Sequence, residues 1–242
     1  MGLDVYAGPL SRYYSGAWET IVQQMGRATG MHINVVRPKP PLGQRVSHFL
    51  RGLLRRPPDP VAAVQAWAAS LSSYCPEGAV FTWPESPTGE YLTDKPAWDC
   101  YGALVVWAAY DAHRPSTPVP AAKVHWDRDP VYNAALSDGD GRYRHLLANT
   151  ELWLPVNFNS PFTAPVPSGG HAVIGSVPRL HAALEDLNGR TWKASATDIA
   201  AWRGAGGALD APLEGSARFA FSIFHALSAF ALRLQVPLKL DY

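Results

Sequence analysis

Hydrophobic residues recur along this chain at two spacings, one typical of helices and one typical of strands. The helical spacing is clearest in residues 44–56, where large apolar residues recur every three or four positions and arginine and histidine fill the rest. Proline, glycine, aspartate and serine at the ends of such segments supply start and stop signals. The pattern predicts helices over residues 16–28, 44–56, 60–74, 98–113, 132–135, 143–148, 176–189, 196–202 and 215–234.

Short runs rich in β-branched and aromatic residues lie between these segments and predict strands. The chain should therefore open as strand, helix, strand, although the order of strands in a sheet does not follow from such a pattern. The predicted strands cover residues 2–6, 31–36, 79–83, 122–126, 151–156, 172–175, 191–193 and 236–240.

Length and composition favour one folded domain. The 242 residues are 47% hydrophobic and 17% charged, and the chain contains no internal repeat and no linker-like stretch. We expect a single α+β domain over residues 1–242, in which helices surround a mixed β-sheet. Residues 217–234 are apolar on nearly every side, but Arg218, His225 and Arg233 interrupt or flank them. This favours a long C-terminal helix buried in the core over a membrane span.

The N-terminal residues and the cysteines indicate the cellular compartment of the protein. Residues 1–10 contain no basic region followed by an apolar run, so we expect no signal peptide. Cys75 and Cys100 form no CxxC motif and are expected to be free thiols in a reducing cytoplasm. Arginine greatly outnumbers lysine, which is typical of a GC-rich bacterial genome. A soluble, cytoplasmic bacterial protein is therefore predicted.

Charge is unevenly distributed along the chain. Residues 20–58 contain no acid, whereas residues 77–140 carry ten acids, so the net charge of +1 hides two opposite regions. The basic segment predicts contact with an anion or an acidic protein partner, unless the acidic region neutralises it within the fold. Nucleic-acid motifs are absent, and we expect neither nucleic acid nor membrane as a partner. The candidate partner-binding or anion-binding residues are Arg45, Arg51, Arg55 and Arg56.

A second candidate site follows the first predicted strand. A strand end that leads into a loop and a helix is a common ligand position in proteins that combine helices and strands. Arg12 could hold an anion, and Glu19 could act as a base or an orienting group. Alternatively, the aromatic residues are packing residues and Arg12 and Glu19 form a surface pair. The candidate residues of this group are Asp4, Tyr6, Arg12, Tyr13, Tyr14 and Glu19.

Two further residues carry reactive groups. Cys100 lies near a predicted helix N-terminus, where the helix dipole lowers the pKa of a thiol, but free cysteines are commonly inert core residues. His125 precedes Asp127 and Asp129 in an arrangement that could hold a divalent cation, although an Asp-rich turn explains the three residues better. The sequence contains no Walker loop, nucleophile elbow or dinucleotide fingerprint, and we predict no metal site and no cofactor.

Two functional hypotheses remain. The first is a bacterial intracellular binding or interaction protein, such as an immunity-type or accessory protein, which requires no catalytic motif. Long loops that carry proline and aromatic residues, over residues 83–98 and 157–170, suit recognition of a protein or a ligand. The alternative is an enzyme that acts on a small anionic substrate through the N-terminal Arg/Tyr/Glu cluster, with assistance from Cys100 or His125.

Overall fold

Six strands and nine α-helices form within the described part of the chain. The computed structural model describes residues 3–31, 33, 59–113, 117–122, 125–138, 141–207 and 211–242. The strands are β1 Asp4–Ala7, β2 Leu92–Asp94, β3 Leu152–Leu154, β4 Phe162–Pro165, β5 His171–Ser176 and β6 Leu238–Asp241. The helices are α1 Leu10–Ser15, α2 Ile21–Ala28, α3 Pro60–Ser70, α4 Trp98–His113, α5 Pro130–Ser137, α6 Arg144–Leu147, α7 Val177–Arg190, α8 Ala196–Ala205 and α9 Leu213–Leu234.

All six strands belong to one mixed sheet in the order β2-β1-β6-β3-β5-β4. Only β3 and β5 run parallel, and the other neighbours are antiparallel. Tyr6 lies opposite Lys239, and Lys239 lies opposite Leu152 on its other side. Directly opposed residues share a face of the sheet, so the three side chains project to one side. Strands β1 and β6, the first and last along the chain, pair with each other in the interior of the sheet.

Each face of the sheet carries its own hydrophobic core. Val5, Trp153 and Leu238 belong to a large core with α4, α7 and α9. The alternate residues Leu152 and Ile174 belong to a smaller core with α1, α3 and the aromatic residues of the loops. Because successive side chains of a strand point to opposite faces, β3 contributes to both cores, with Trp153 in the larger one and Leu152 and Leu154 in the smaller one. The α+β fold class is confirmed, and the described helices surround the mixed sheet.

Helix α9 is the centre of the larger core. Ala217, Phe221 and Phe224 have no exposed surface, and the Phe224 ring lies 6.0 Å from Trp153 on the sheet and 5.5 Å from Tyr101 on α4. The helix is long and apolar enough to cross a membrane, yet half of its most apolar window is buried inside the fold. That burial is typical of the core helix of a soluble domain. The predicted buried C-terminal helix is confirmed.

Several predicted boundaries and strands are wrong. The predicted helix 16–28 begins only at Ile21, where Thr20 caps α2, and the preceding helix α1, which Gly16 ends in a left-handed conformation, was not predicted. Residues 79–83 join no sheet ladder, Trp126 begins a 3₁₀ helix where strand 122–126 was expected, and residues 191–193 turn after α7. Strands β2 and β4 were not predicted from the sequence. Helix 44–56 and most of strand 31–36 lie outside the described residues.

A close contact between α4 and Trp126 provides a test of the larger core. A Cβ atom on Gly102 would lie 2.1 Å from Cδ1 of Trp126, whereas a Cβ on Gly189 of α7 would meet nothing within 4 Å. We expect Gly102→Ala to lower the free energy of unfolding by about 1–3 kcal/mol through overpacking. Gly189→Ala, the matched control, should leave it unchanged or raise it by up to about 1 kcal/mol through helix propensity. Urea denaturation measures both; equal stabilities would contradict the packing of Trp126 on Gly102.

His145 joins α6 to the sheet through both ring nitrogens. Its Nδ1 accepts a hydrogen bond from the backbone N–H of Ser176 at 3.0 Å, so its Nε2 carries the proton and donates to the carbonyl of Asn159 at 2.9 Å. The ring is only 3% exposed. Burial lowers the pKa of His145 to about 4, although the hydrogen bond to Asn159 acts in the opposite direction. The imidazole is therefore neutral in the folded protein.

This depressed pKa predicts acid sensitivity. Between pH 6.5 and 4 the unfolded chain binds a proton that the folded protein does not, so the free energy of unfolding falls as pH falls, by about 3 kcal/mol in total. Burial also lowers the pKa of His181, which adds to the effect. Urea denaturation from pH 7 to pH 4 should show a shallower dependence for His145→Gln than for the unsubstituted protein. Parallel curves for the two proteins would refute this assignment.

Candidate functional site

A polar cavity of about 530 Å³ lies beside the connection between α1 and α2. Gly16 ends α1 with a left-handed turn, and the next three residues lead to the Thr20 cap of α2. This short connection and the residue preceding β2 form the walls of the cavity. The lining residues are Arg12, Gly16, Ala17, Trp18, Glu19, Arg27 and Tyr91.

Aromatic rings pack together behind this cavity. Tyr6 is fully buried on β1, and its ring centroid lies 5.0 Å from Trp18, 5.3 Å from Tyr13 and 5.8 Å from Tyr91. Tyr13 in turn stacks on Trp18 at 5.4 Å. Such ring pairs add stability beyond the apolar area that they bury. The cluster of Tyr6, Tyr13, Trp18 and Tyr91 is the aromatic floor, and it holds the cavity walls in place.

Arg12 crosses one wall of the cavity and is held at three points. Its Nε donates to the carbonyl of Ala17 at 2.7 Å, and its Nη1 donates to the carbonyl of Gly89 at 2.7 Å. The guanidinium carbon lies 4.2 Å from the centre of the Tyr91 ring. Carbonyl groups and an aromatic face orient a guanidinium without cancelling its formal charge. Arg12 is therefore a fixed positive charge.

Glu19 and Arg27 form the opposite wall. Arg27 Nη2 lies 3.1 Å from Glu19 Oε2, and the Arg27 side chain is 74% exposed. The backbone N–H of Glu19 donates to the Tyr91 hydroxyl, which ties this wall to the aromatic floor. Glu19 thus pairs with Arg27, and the expected surface pair between Arg12 and Glu19 is not the observed ion pair. Two guanidinium groups and one carboxylate leave the lining with a net positive formal charge.

The tyrosines and Asp4 support this site structurally. Burial raises the pKa of the Tyr6 hydroxyl, which donates to the carbonyl of Pro9, and burial raises the pKa of Tyr14 to about 12. Both phenols are therefore protonated at neutral pH and are poor bases. Tyr13 donates a hydrogen bond to Asp241 on β6, and Asp4 lies 3.3 Å from Lys95 Nζ. These residues connect the strands behind the cavity.

The remaining predicted residues lie elsewhere. Cys100 is 1% exposed within the larger core, and it does not line the cavity of Arg12. His125 is exposed and precedes a 3₁₀ helix, while Asp129 accepts hydrogen bonds from the N–H groups of Val131 and Tyr132 and caps α5. Asp129 thus has a capping role. The basic candidates Arg45, Arg51, Arg55 and Arg56 fall outside the described residues.

Sequence reasoning missed a cluster of His181, Glu185 and His225. These side chains each offer one ligand atom, and the three atoms lie within 4.8 Å of one another. His181 and Glu185 are four residues apart on α7, and His225 comes from α9. The first pair has a helical spacing that places both side chains on one face, which was a usable signal. Nothing in the spacing of residues along the sequence indicated that His225, 40 residues after Glu185, would lie beside them.

Comparison of the chain with protein-family models, with curated proteins and with solved structures found no match. No residue role is therefore inferred from a relative. The chemistry of each site is inferred from the contacts of its own side chains.

Proposed function

We propose that this protein is a cytoplasmic bacterial binding protein that holds a small organic anion in the cavity lined by Arg12, Glu19 and Arg27. The observation that carries the proposal is the pairing of two guanidinium groups with a single carboxylate around one cavity. An anion that bridged Arg12 and Arg27 would balance the charge of the lining. Charge-assisted hydrogen bonds from arginine are among the strongest that a protein can offer to a carboxylate or phosphate.

The fixed position of Arg12 supports this function. Its hydrogen bonds to the carbonyls of Ala17 and Gly89, together with the Tyr91 ring, hold the guanidinium before any ligand arrives. A side chain that is ordered in advance loses little conformational entropy on binding. Arg27 is exposed, and it can exchange Glu19 for a ligand at little cost, because surface ion pairs contribute little stability.

The size and floor of the cavity support an organic ligand. Its volume of about 530 Å³ exceeds that of an inorganic anion and falls within the range typical of small-molecule sites. Tyr91 and the mostly buried Trp18 line the cavity next to the arginines. The ligand would thus carry a phosphate or carboxylate group on a small apolar or aromatic body.

Binding is proposed here in preference to catalysis. The enzyme hypothesis placed Cys100 or His125 beside the N-terminal cluster, and neither residue lines this cavity. Among the described lining residues, Glu19 is the one carboxylate, and it is already paired with Arg27. Recognition of an acidic protein partner by Arg45, Arg51, Arg55 and Arg56 stays a prediction, since these residues lie outside the described chain.

Charge-altering variants test the proposed ligand class. With inorganic phosphate and phenyl phosphate as probes, we expect Arg27→Gln to weaken binding about tenfold, because one charge-assisted hydrogen bond is lost. Glu19→Gln should tighten binding, because it removes the negative charge of the cavity and releases Arg27. Phenyl phosphate should bind more tightly than phosphate, through its contact with the aromatic floor. Isothermal titration calorimetry at low ionic strength measures the affinity of each protein for each probe.

A matched control separates the cavity from general surface charge. Arg142 is an exposed arginine that pairs with Asp186 and does not line the cavity, so Arg142→Gln makes the same charge change elsewhere. This variant should bind phenyl phosphate like the unsubstituted protein. An equal loss in Arg142→Gln and Arg27→Gln, or weaker binding in Glu19→Gln, would contradict the proposal.

A further inference from the structure

We propose that His181, Glu185 and His225 form a binding site for a divalent transition-metal ion, best matched by Zn²⁺, at the junction of α7 and α9. The ligand atoms are one ring nitrogen of each histidine and a carboxylate oxygen of Glu185, and all lie within 4.8 Å of one another. Two imidazoles and one carboxylate are a donor set that zinc accepts readily. Calcium and magnesium prefer oxygen ligands alone. This site is separate from the anion cavity, and neither proposal depends on the other.

Ser228 orients the first ligand. Its hydroxyl donates its only hydrogen to the carbonyl of His225 at 3.0 Å, one turn back on α9. The hydroxyl must therefore accept in its 2.9 Å contact with Nδ1 of His181, which makes Nδ1 the protonated nitrogen. Nε2 of His181 is then left with its lone pair, and it lies 3.9 Å from Glu185 Oε1. Metal-binding histidines typically donate their other ring N–H to such a partner.

Glu185 is positioned between the two histidines. Its Oε1 lies 2.5 Å from Nε2 of His225 and 3.9 Å from Nε2 of His181. Ligand atoms of a tetrahedral zinc ion lie about 3.3 Å apart, given bonds of about 2.0–2.1 Å. The first distance would have to lengthen and the second to shorten, each by less than about 1 Å. The metal would take the place of the proton that His225 now shares with Glu185.

The two histidines lie close together, and Glu185 leaves the cluster open to solvent. His181 and His225 are both partly buried, and their ring centroids lie 5.2 Å apart. Glu185 is exposed, which gives an ion access from solvent.

His225 also lines a cavity of about 500 Å³ between α8 and α9. The other lining residues are mainly small and apolar, and the charge of Arg203 is balanced by Asp94, whose carboxylate lies 2.6 Å away. Three protein ligands leave one position of a tetrahedral ion open to water or an added ligand. The geometry therefore resembles an open site more than a closed structural one.

Metal titration of the full chain, purified without a polyhistidine tag and treated with a chelator, tests the proposal. We expect Zn²⁺ to bind at one ion per chain by calorimetry, and Co²⁺ to give the intense visible spectrum of a tetrahedral complex. Mg²⁺ should show no comparable binding. Absence of Zn²⁺ binding, or equal binding of Mg²⁺, would overturn the assignment.

Variants locate the ion. Glu185→Gln keeps the size of an exposed side chain and should weaken Zn²⁺ binding at least tenfold, as should His225→Ala. Ser228→Ala tests the positioning role: affinity should fall by about 10–100-fold while a residual Co²⁺ spectrum keeps its tetrahedral form. The matched control is His171→Ala, which removes an exposed histidine on β5 and should leave the affinity unchanged. Circular dichroism checks that each variant is folded.

The outcomes are distinct. If Glu185→Gln binds Zn²⁺ as tightly as the unsubstituted protein, the cluster is not the site. If His171→Ala loses as much affinity as His225→Ala, the ion binds at scattered surface histidines, and the proposal fails. Because Glu185 is exposed, its variant gives a decisive result even if His225→Ala does not fold.

Discussion

The burial of α9 against the sheet and α4 is the interaction on which the rest of the structure depends. Phe224 contacts Trp153 of β3 and Tyr101 of α4, so one side chain connects the two layers. A helix this apolar must cover its surface to remain in water, and the surrounding helices provide that cover. The chain then returns directly from α9 into β6, which pairs with β1. The buried helix thus leads directly into the strand that joins the two ends of the chain in the sheet.

The two proposed sites lie on opposite faces of this sheet. The anion cavity is built on Tyr6 and α1, on the face of the smaller core, whereas the metal cluster joins α7 and α9 on the face of the larger core. Both use the same principle, in which a packed apolar layer holds a few polar groups in place. In one site the aromatic floor fixes Arg12, and in the other the α7–α9 contact brings His225 to His181. Neither site shares a residue with the other.

Two buried polar side chains of the described residues, His145 and Asp129, have structural roles, which narrows the choice of functional residues. His145 uses both ring nitrogens to hold β5 and the loop at Asn159, and Asp129 caps α5. A side chain whose hydrogen-bonding capacity is used in this way has little left for a ligand. The groups that retain capacity, Arg27 and Glu185, are exposed and sit in ion pairs that cost little to exchange.

The sequence by itself determined the long helices, the α+β class and the buried α9. A pattern of apolar residues that continues over many positions identifies an element even where its first and last residues are ambiguous. It also marked Arg12 and Glu19, since they follow β1 closely in the chain. Only the tertiary structure decided that Glu19 pairs with Arg27, that residues 79–83 join no strand and that His225 meets His181. Local pattern reports which face of an element is apolar, but which faces meet depends on the packing of the whole chain.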